Sequence, residues 1–134
     1  MALAGPVDYS SIDIYNNKIS GGYVWDGVFA GCTGDCWFHG DGIHTWGDYL
    51  GHNVGPINIY NNEIGPDMGT HTSGYIYLSD YTSPSLIYNN LIYANGTNKP
   101  TNGYIYIFNY NSATIARIYS NTIRGLGTSN LIGG

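Results

Sequence analysis

The chain has 134 residues, enough for one modest domain, and it carries only four Lys and Arg against nine Asp and Glu. Nucleic acids and anionic membrane surfaces bind clustered positive charge, so this composition argues against both as partners. No apolar run approaches the roughly 20 residues of a membrane-spanning helix. Helix formers are scarce, whereas the abundant Gly, Tyr, Ile and Asn are typical of strands joined by turns.

Residues 1–11 form an N-terminal lead ahead of the first repeat. Within this lead, residues 1–7 have no basic segment and are too short for a secretory signal peptide. We therefore expect either that an export signal has been removed or that the sequence is a piece of a longer chain.

One eight-residue pattern recurs four times and organises the rest of the chain. Repeats with a period of 20–50 residues indicate a solenoid, a propeller or another array. The first and third positions share one face of a strand, and the Tyr at the fourth position lies on the opposite face. The third and eighth positions are always Ile, the fourth is Tyr and the sixth is Asn, in residues 12–19, 57–64, 85–92 and 116–123.

The sixth position of the pattern marks a corner between two strands. The two Ile positions are five residues apart, so strict alternation fails and the backbone must bend at the polar pair between them. Asn suits such a corner because it tolerates left-handed backbone conformations. Stacked Asn side chains can also hydrogen-bond from coil to coil, which predicts a structural column of Asn17, Asn62, Asn90 and Asn121.

A loop insertion at residues 29–41 lengthens the first coil, because the first step between corner Asn residues is the longest. The insertion contains Cys32 and Cys36, for which we expect a disulfide that closes a small loop in an exported protein. The alternative is a redox or metal pair, although two thiols alone make a poor zinc site.

A second strand follows each corner and is clearest in residues 74–78 and 103–107. In the first coil its counterpart is residues 42–46, with Ile43 inward and His44 outward, although residues 26–28 offer an alternative. The alternation predicts inward Ile76, Leu78, Ile105 and Ile107, with Tyr75, Tyr77, Tyr104 and Tyr106 outward.

The coils are too short and too few for a propeller, and a leucine-rich repeat would need a Leu scaffold. The sequence Ile-x-Asn-Asn-x-Ile followed by Asp-Gly-Ile resembles the right-handed parallel β-helix (pectate-lyase-like) superfamily, over residues 12–124. Its members include pectate lyases, polygalacturonases, alginate epimerases, phage tailspikes and adhesins. The resemblance implies an all-β fold, a right-handed parallel β-helix (β-solenoid) of about four coils with no substantial α-helix, as a single domain over residues 1–134. It implies no single activity, because many chemistries share this scaffold.

The densest cluster of reactive side chains lies within residues 39–52. An enzymatic interpretation makes Asp41 and His44 a general acid/base pair beside a sugar platform at Trp46. The other candidates there are Asp48, His52 and His39, and Asp67 or Glu63 could supply the second carboxylate of a glycoside hydrolase. Uronate chemistry would also need a nearby cation, and the chain offers Arg117 and Arg124 two coils away. In the alternative interpretation Asp41 makes a turn and His44 is a surface strand residue.

Metal binding is weakly indicated. His44, His52 and His71 could suit zinc or copper, but their spacing matches no recognised site. Calcium at Asp41 and Asp48 is similarly weak because the spaced Asp-rich loop is absent. We therefore expect no cofactor.

Columns of Tyr form the other candidate surface. The pattern places Tyr15, Tyr60, Tyr88 and Tyr119 in one stripe, and pairs Tyr75 with Tyr104 and Tyr77 with Tyr106. Stacked aromatics could bind glycan rings or another solenoid. The alternative is that Tyr simply stabilises its neighbours across the strands.

These observations predict an extracellular or cell-surface structural and interaction module. We expect it to self-associate end to end, because the end coils show unpaired strand edges and Arg117 shares a column with Asp13. Polysaccharide is a second expected partner. The alternatives are a fragment of a polysaccharide lyase, glycoside hydrolase or epimerase with its site near residues 39–52, and a fragment whose missing coils cover both edges.

Overall fold

The computed structural model describes residues 2–4, 11–22, 40–46, 54–69, 72–79, 84–94, 100–108, 115–125 and 132–133. Within these ranges every regular element longer than one residue is a β-strand. The strands are β1 (Ala2–Ala4), β2 (Ile12–Tyr15), β3 (Lys18–Ile19), β4 (Ile43–Trp46), β5 (Ile57–Tyr60), β6 (Glu63–Ile64), β7 (Gly74–Ser79), β8 (Ser85–Tyr88), β9 (Leu91–Tyr93), β10 (Gly103–Phe108), β11 (Ala116–Tyr119), β12 (Thr122–Arg124) and β13 (Ile132–Gly133).

The described strands form three sheets, and they pair with their neighbours in parallel orientation. Sheet 1 has the order β1-β4-β7-β10-β13, sheet 2 the order β11-β8-β5-β2 and sheet 3 the order β12-β9-β6-β3. The chain visits the sheets in the fixed sequence 1, 2, 3, so each circuit adds one strand, here called a rung, to each sheet. This is a parallel β-helix of about four coils, which confirms the predicted fold class.

The core is made by Ile columns that run through the rungs. In sheet 2, Ile14 pairs with Ile59 and Ile59 with Ile87, while in sheet 3 Ile64 pairs with Ile92. All five side chains are buried. Burying one such side chain is worth about 1.5–3 kcal/mol, so the stacked columns are a main source of stability. The predicted inward face of the eight-residue pattern is therefore confirmed.

The two residues of each polar corner pair have different tasks. The first has a left-handed backbone, with φ of 54–56° at Asn16, Asn61, Asn89 and Ser120. The second carries the column of stacked side chains. An Asn or Ser with a left-handed backbone is tolerated at a tight bend, so the corner is a property of the pair rather than of one residue.

Tyr75 and Tyr104 were predicted to face outward, and that prediction is wrong. Both are buried, and their rings meet edge-on with centroids 5.1 Å apart. Gly42 precedes Ile43 as Tyr75 precedes Ile76, and a Cβ on Gly42 would lie 2.8 Å from Ile64 Cγ2. This position directly precedes β4 and is the second residue of β7 and of β10, and in the first coil it lies beside sheet 3. In β7, alternation therefore applies only from Ile76 onward.

Other predictions for sheet 1 hold. Ile43 is buried and pairs with Ile76, which confirms residues 42–46 as the first-coil strand, and Ile107 packs at the edge of the core. The alternative at residues 26–28 lies outside the described residues. The N-terminal lead contains β1, a strand that the sequence pattern did not indicate. The described part of the chain contains no helix that is long and apolar enough to cross a membrane.

Candidate functional site

Asp41 lies just before β4 and joins two successive coils. Its side chain is only 2% exposed, and Oδ1 accepts hydrogen bonds from the backbone N–H groups of Ser73 at 2.8 Å and Gly74 at 3.0 Å. These are the residues at the entry of β7, one rung further along sheet 1. A carboxylate that satisfies two backbone donors fixes where the next strand begins.

The second oxygen of Asp41 faces His44. Oδ2 lies 2.9 Å from His44 Nδ1, which is an ion-pair distance, yet no described residue donates a well-directed hydrogen bond to this buried oxygen. The structure therefore brings together the pair that the sequence singled out. A carboxylate beside Nδ1 orients the imidazole and leaves Nε2, on the far side of the ring, available for proton transfer.

Aromatic rings surround His44 on the outer face of sheet 1. His44 packs on Tyr77 at a centroid distance of 4.5 Å, and Tyr77 packs on Tyr106 at 5.1 Å. Trp46 lies 6.5 Å from His44 and is 64% exposed, while Phe108 lies 6.4 Å from Tyr106. We call these five residues the sheet 1 aromatic face. Phe108 was not among the residues predicted for this face, although extending the alternation of β10 one step beyond Tyr106 and Ile107 places it there.

The outer face of sheet 2 carries the other predicted aromatic column, here called the Tyr stack. The rings are nearly parallel, with interplanar angles of 2–5° and centroid spacings of 5.0, 5.0 and 5.1 Å. Desolvation within the stack is the main reason why the pKa of Tyr60 is raised. The end rings are the most exposed, so the stack could continue in both directions; its members are Tyr15, Tyr60, Tyr88 and Tyr119.

The corner Asn residues form a continuous hydrogen-bonded column, here called the Asn ladder. Asn17 Nδ2 donates to Asn62 Oδ1 at 3.0 Å, and Asn62 Nδ2 donates to Asn90 Oδ1 at 3.0 Å. The last step, from Asn90 Nδ2 to Asn121 Oδ1, measures 2.9 Å. Asn62 and Asn90 are 2% exposed, so the middle of the ladder is a buried polar network whose members satisfy one another.

The Asn ladder has a direction. The backbone N–H groups of Asn17, Asn62 and Asn90 each donate to the side-chain oxygen of the next Asn, at 3.0 Å in every case. At one end, no described residue donates to Asn17 Oδ1. At the other end, no described residue accepts from the backbone N–H of Asn121. The two ends are therefore chemically complementary, one being an acceptor and the other a donor.

Polar groups cover the outside of the first two coils. Asn58 Nδ2 donates to Asp13 Oδ1 at 2.8 Å on sheet 2. On sheet 3, Lys18 Nζ lies 2.9 Å from Glu63 Oε1, which also accepts from the hydroxyl of Tyr93 at 2.9 Å. The hydrogen bond from Lys18 is the largest cause of the lowered pKa of Glu63, followed by that from Tyr93. The same contact with Glu63 raises the pKa of Lys18.

Several predicted site residues lie outside the described residues, so the structure neither joins nor separates them. They are Asp48, His52, His39, His71 and the cysteines Cys32 and Cys36. Among the residues that are described, no group of three or more His, Cys, Asp or Glu side chains could hold a metal ion. The carboxylate of Glu63, offered as a second catalytic acid, already contacts Lys18 and Tyr93.

The role of Asp41 as an acceptor for Ser73 and Gly74 had no sequence signal, because the donors are backbone groups 32 and 33 residues away. Three features thus stand out on the described surface: the Asp41–His44 pair with its aromatic face, the Tyr stack, and the two ends of the Asn ladder. A scan against protein-family models found no match for this chain, and comparisons with curated proteins and with solved structures found none either.

Proposed function

We propose that the chain is a structural and interaction module of the right-handed, pectate-lyase-like β-helix type, working outside the cell or at its surface. In this proposal one copy stacks on the next through the first and last coils. The observation that carries it is the direction of the Asn ladder, which presents an acceptor at one end and donors at the other.

The internal steps of the ladder specify what a joint between copies would contain. Within the chain, Thr122 N–H donates to Asn90 O at 2.9 Å, and Asn121 Nδ2 donates to Ile87 O at 2.9 Å. Repeating these bonds across the joint pairs Lys18 N–H of the second copy with Asn121 O. It also pairs Asn17 Nδ2 of the second copy with Ile118 O. Each such bond is worth about 0.5–1.5 kcal/mol net.

Apolar and charged columns support the same joint. Ile12 and Ile19 at one end and Ile118 and Ile123 at the other are only partly buried, whereas their counterparts in the middle rungs are fully buried. Stacking would cover both sets and would also continue the Tyr stack. Asp13 and Arg117 occupy the same outward column of sheet 2, so they would become neighbours across the joint.

A joint between unlike ends is heterologous. It produces a filament unless rotation closes a ring. The exposed pair of Asp13 and Arg117 contributes little affinity, about 0–1 kcal/mol, and its main effect is on register.

A charge-swap experiment tests this proposal without touching the core. We expect sedimentation velocity and electron microscopy to show assembly that increases with protein concentration. Arg117→Glu should weaken assembly at low salt because it places two acids together, and adding Asp13→Arg should restore it. Arg124→Glu is the matched control, since Arg124 is also exposed in the last coil but lies on sheet 3, away from the column of Asp13. A protein that stays monomeric at every concentration would rule out the proposal.

The Asp41–His44 pair supports a second candidate, a polysaccharide-active site on the sheet 1 aromatic face. His44 would act as the general acid or base through Nε2, Asp41 would position it, and Trp46 would stack on a sugar ring. The test is turnover of pectate, alginate and neutral glucans. His44→Ala and Asp41→Asn should abolish it, while circular dichroism stays unchanged. Trp46→Ala should weaken glycan binding. No turnover and no binding across the panel would count against this candidate.

A further inference from the structure

We propose that the joint between two copies is completed by a shared rung, in which β13 of one copy and β1 of the next lie end to end on β10. This inference rests on the proposed end-to-end association and specifies its geometry. The partner is a second copy of this chain.

The inference starts from the unequal sizes of the sheets. Sheet 1 has five strands among the described residues, whereas sheets 2 and 3 have four each. The first and last strands that the structure describes, β1 and β13, both belong to sheet 1. Among the described residues, each end of the stack therefore has one strand of sheet 1 beside the outermost rungs of the other two sheets.

Stacking two copies places both of these strands at one level. If β2 of the second copy continues sheet 2 from β11, and β3 continues sheet 3 from β12, then β1 of the second copy falls on β10. That level is already occupied by β13 of the first copy. Stacking β1 on β13 instead would leave sheets 2 and 3 one rung short, and the Asn ladder would lose its contact across the joint.

The strand registers place the two strands over different parts of the rung. β13 covers the columns of Ile105 and Tyr106. Within its own chain, β1 pairs Ala2 with His44 and Ala4 with Trp46. Followed through the sheet, these columns continue to Tyr106 and Phe108, with Ile107 between them. The second copy's β1 therefore covers Ile107 and Phe108, which β13 leaves open.

The two strands overlap at one column, that of Tyr106, and there is little room for a side chain there. Gly133 and Ala2 of the second copy both fall on the column of Tyr106. A Cβ on Gly133 would lie 2.9 Å from Asn102 O and 3.2 Å from Tyr106 Cδ2, so this position has room for a glycine but little room for a side chain. One of the two small residues must leave the rung when the joint forms. The rest of each strand can stay.

Burial within the column of Leu78 fits this arrangement. Leu78 is completely buried, whereas Ile107, one rung nearer the end of sheet 1, is only partly buried. In the shared rung, the register places the backbone of the second copy's β1 at Leu3 beside Ile107. By register, the neighbouring column of Ile132 continues to Ile43 of the second copy, which β1 does not pair with, although Ile43 is already buried within its own chain.

Site-directed disulfides test the shared rung. Neighbouring rungs lie about 4.8 Å apart, within the range for a disulfide. We would mix an Ala4→Cys protein with a Phe108→Cys protein, and separately an Ile132→Cys protein with an Ile43→Cys protein. Within one chain Ala4 and Phe108 are three rungs apart, so a bond between these positions forms only between copies in this register. Wild-type protein and peptide mass spectrometry control for Cys32 and Cys36.

We expect both mixtures to give crosslinked dimers with the named linkage, because the two halves of the rung are occupied together. A linkage from the second mixture alone would show that β1 is displaced and would overturn the shared rung. Assembly in sedimentation experiments without either linkage would overturn this inference but leave end-to-end association standing. Absence of both assembly and linkage, with circular dichroism unchanged, would overturn both proposals.

Discussion

The side-chain nitrogen of Asn62 lies 3.0 Å from the side-chain oxygen of Asn90, and both side chains are 2% exposed. The same nitrogen also donates to Ile14 O at 2.9 Å, so one amide group connects three successive rungs. A buried amide with this many partners stabilises the stack only while all of them are present.

We predict that Asn62→Ala lowers the free energy of unfolding by about 3 kcal/mol, because it removes the side-chain donor to Ile14 O and the oxygen that accepts from the Asn17 backbone N–H and from Asn17 Nδ2. Denaturant unfolding followed by circular dichroism measures this loss. The neighbouring Asn61→Gly is the control, since Asn61 is exposed and its φ of 56° suits Gly. Equal effects of the two changes would contradict the role of the ladder.

Tyr75 carries a buried hydroxyl for which no described residue is a hydrogen-bond partner. We predict that Tyr75→Phe leaves the protein as stable as before or stabilises it by about 1 kcal/mol, because removing an unpaired buried polar group relieves its desolvation cost. Thermal unfolding measures the change. Tyr93→Phe is the contrasting variant, since it removes a hydroxyl that donates to Glu63. A marked loss of stability in Tyr75→Phe would show that the hydroxyl has a partner.

Burial also gives Tyr75 a pH dependence. Desolvation raises its pKa above the ordinary value of 10.0, so the folded protein keeps the phenol protonated where the unfolded chain ionises. The contribution of Tyr75 is fully present below about pH 10 and is lost as the pH rises through the folded value. The free energy of unfolding, measured at several pH values from 9 to 11, should therefore fall more steeply with pH for the wild type than for Tyr75→Phe. Parallel curves would contradict the assignment.

Asp41 connects the entry of β4 with that of β7. We predict that Asp41→Ala destabilises the protein by about 2–4 kcal/mol, because the backbone donors of Ser73 and Gly74 lose their acceptor. Asp41→Asn should cost less, since the amide oxygen can replace Oδ1. His44→Ala should also cost less than Asp41→Ala, because His44 lies on the outer face. Chemical denaturation gives the free energies of unfolding of the three variants. A different order would contradict the role of Asp41 in fixing where β7 begins.

The carboxylate of Glu63 should titrate below its ordinary range because Lys18 and Tyr93 hydrogen-bond to its charged form. Its contribution to stability is present above about pH 4.5 and is lost as the pH falls through the lowered pKa. We expect NMR titration of the Glu63 carboxyl to show this lowered pKa, and Lys18→Gln to move it back upward. Asp13→Asn, on a different sheet, should leave the Glu63 titration unchanged.

Much of the fold follows from the sequence because the repeat is read by local rules. Period-two alternation places Ile14 inward and Tyr15 outward without knowledge of any other coil. The Asn pair marks the corner, since few other residues adopt a left-handed backbone. Copies of one strand can satisfy their backbone groups by stacking, and this predicts the parallel β-helix.

The pairing of Asp41 with His44 was also visible in the sequence, since the two residues are only three positions apart; Asp41 lies before the bend that leads into β4, so strand alternation does not separate their side chains. The aromatic platform at Trp46 followed from alternation in the same strand. Local spacing thus predicted the composition of the candidate site.

Tertiary structure alone decided the features that depend on how distant segments meet. Tyr75 is buried and its ring meets that of Tyr104 in the next coil, a placement that the alternation within its own strand does not reveal. Asp41 is buried because backbone groups of the next coil surround its carboxylate. The direction of the Asn ladder and the placement of β1 beside β4 likewise depend on neighbouring rungs. The sequence by itself determined the repeating coil, whereas burial and hydrogen-bond partners at its corners and ends required the coils to be stacked, because those groups contact other coils rather than their own.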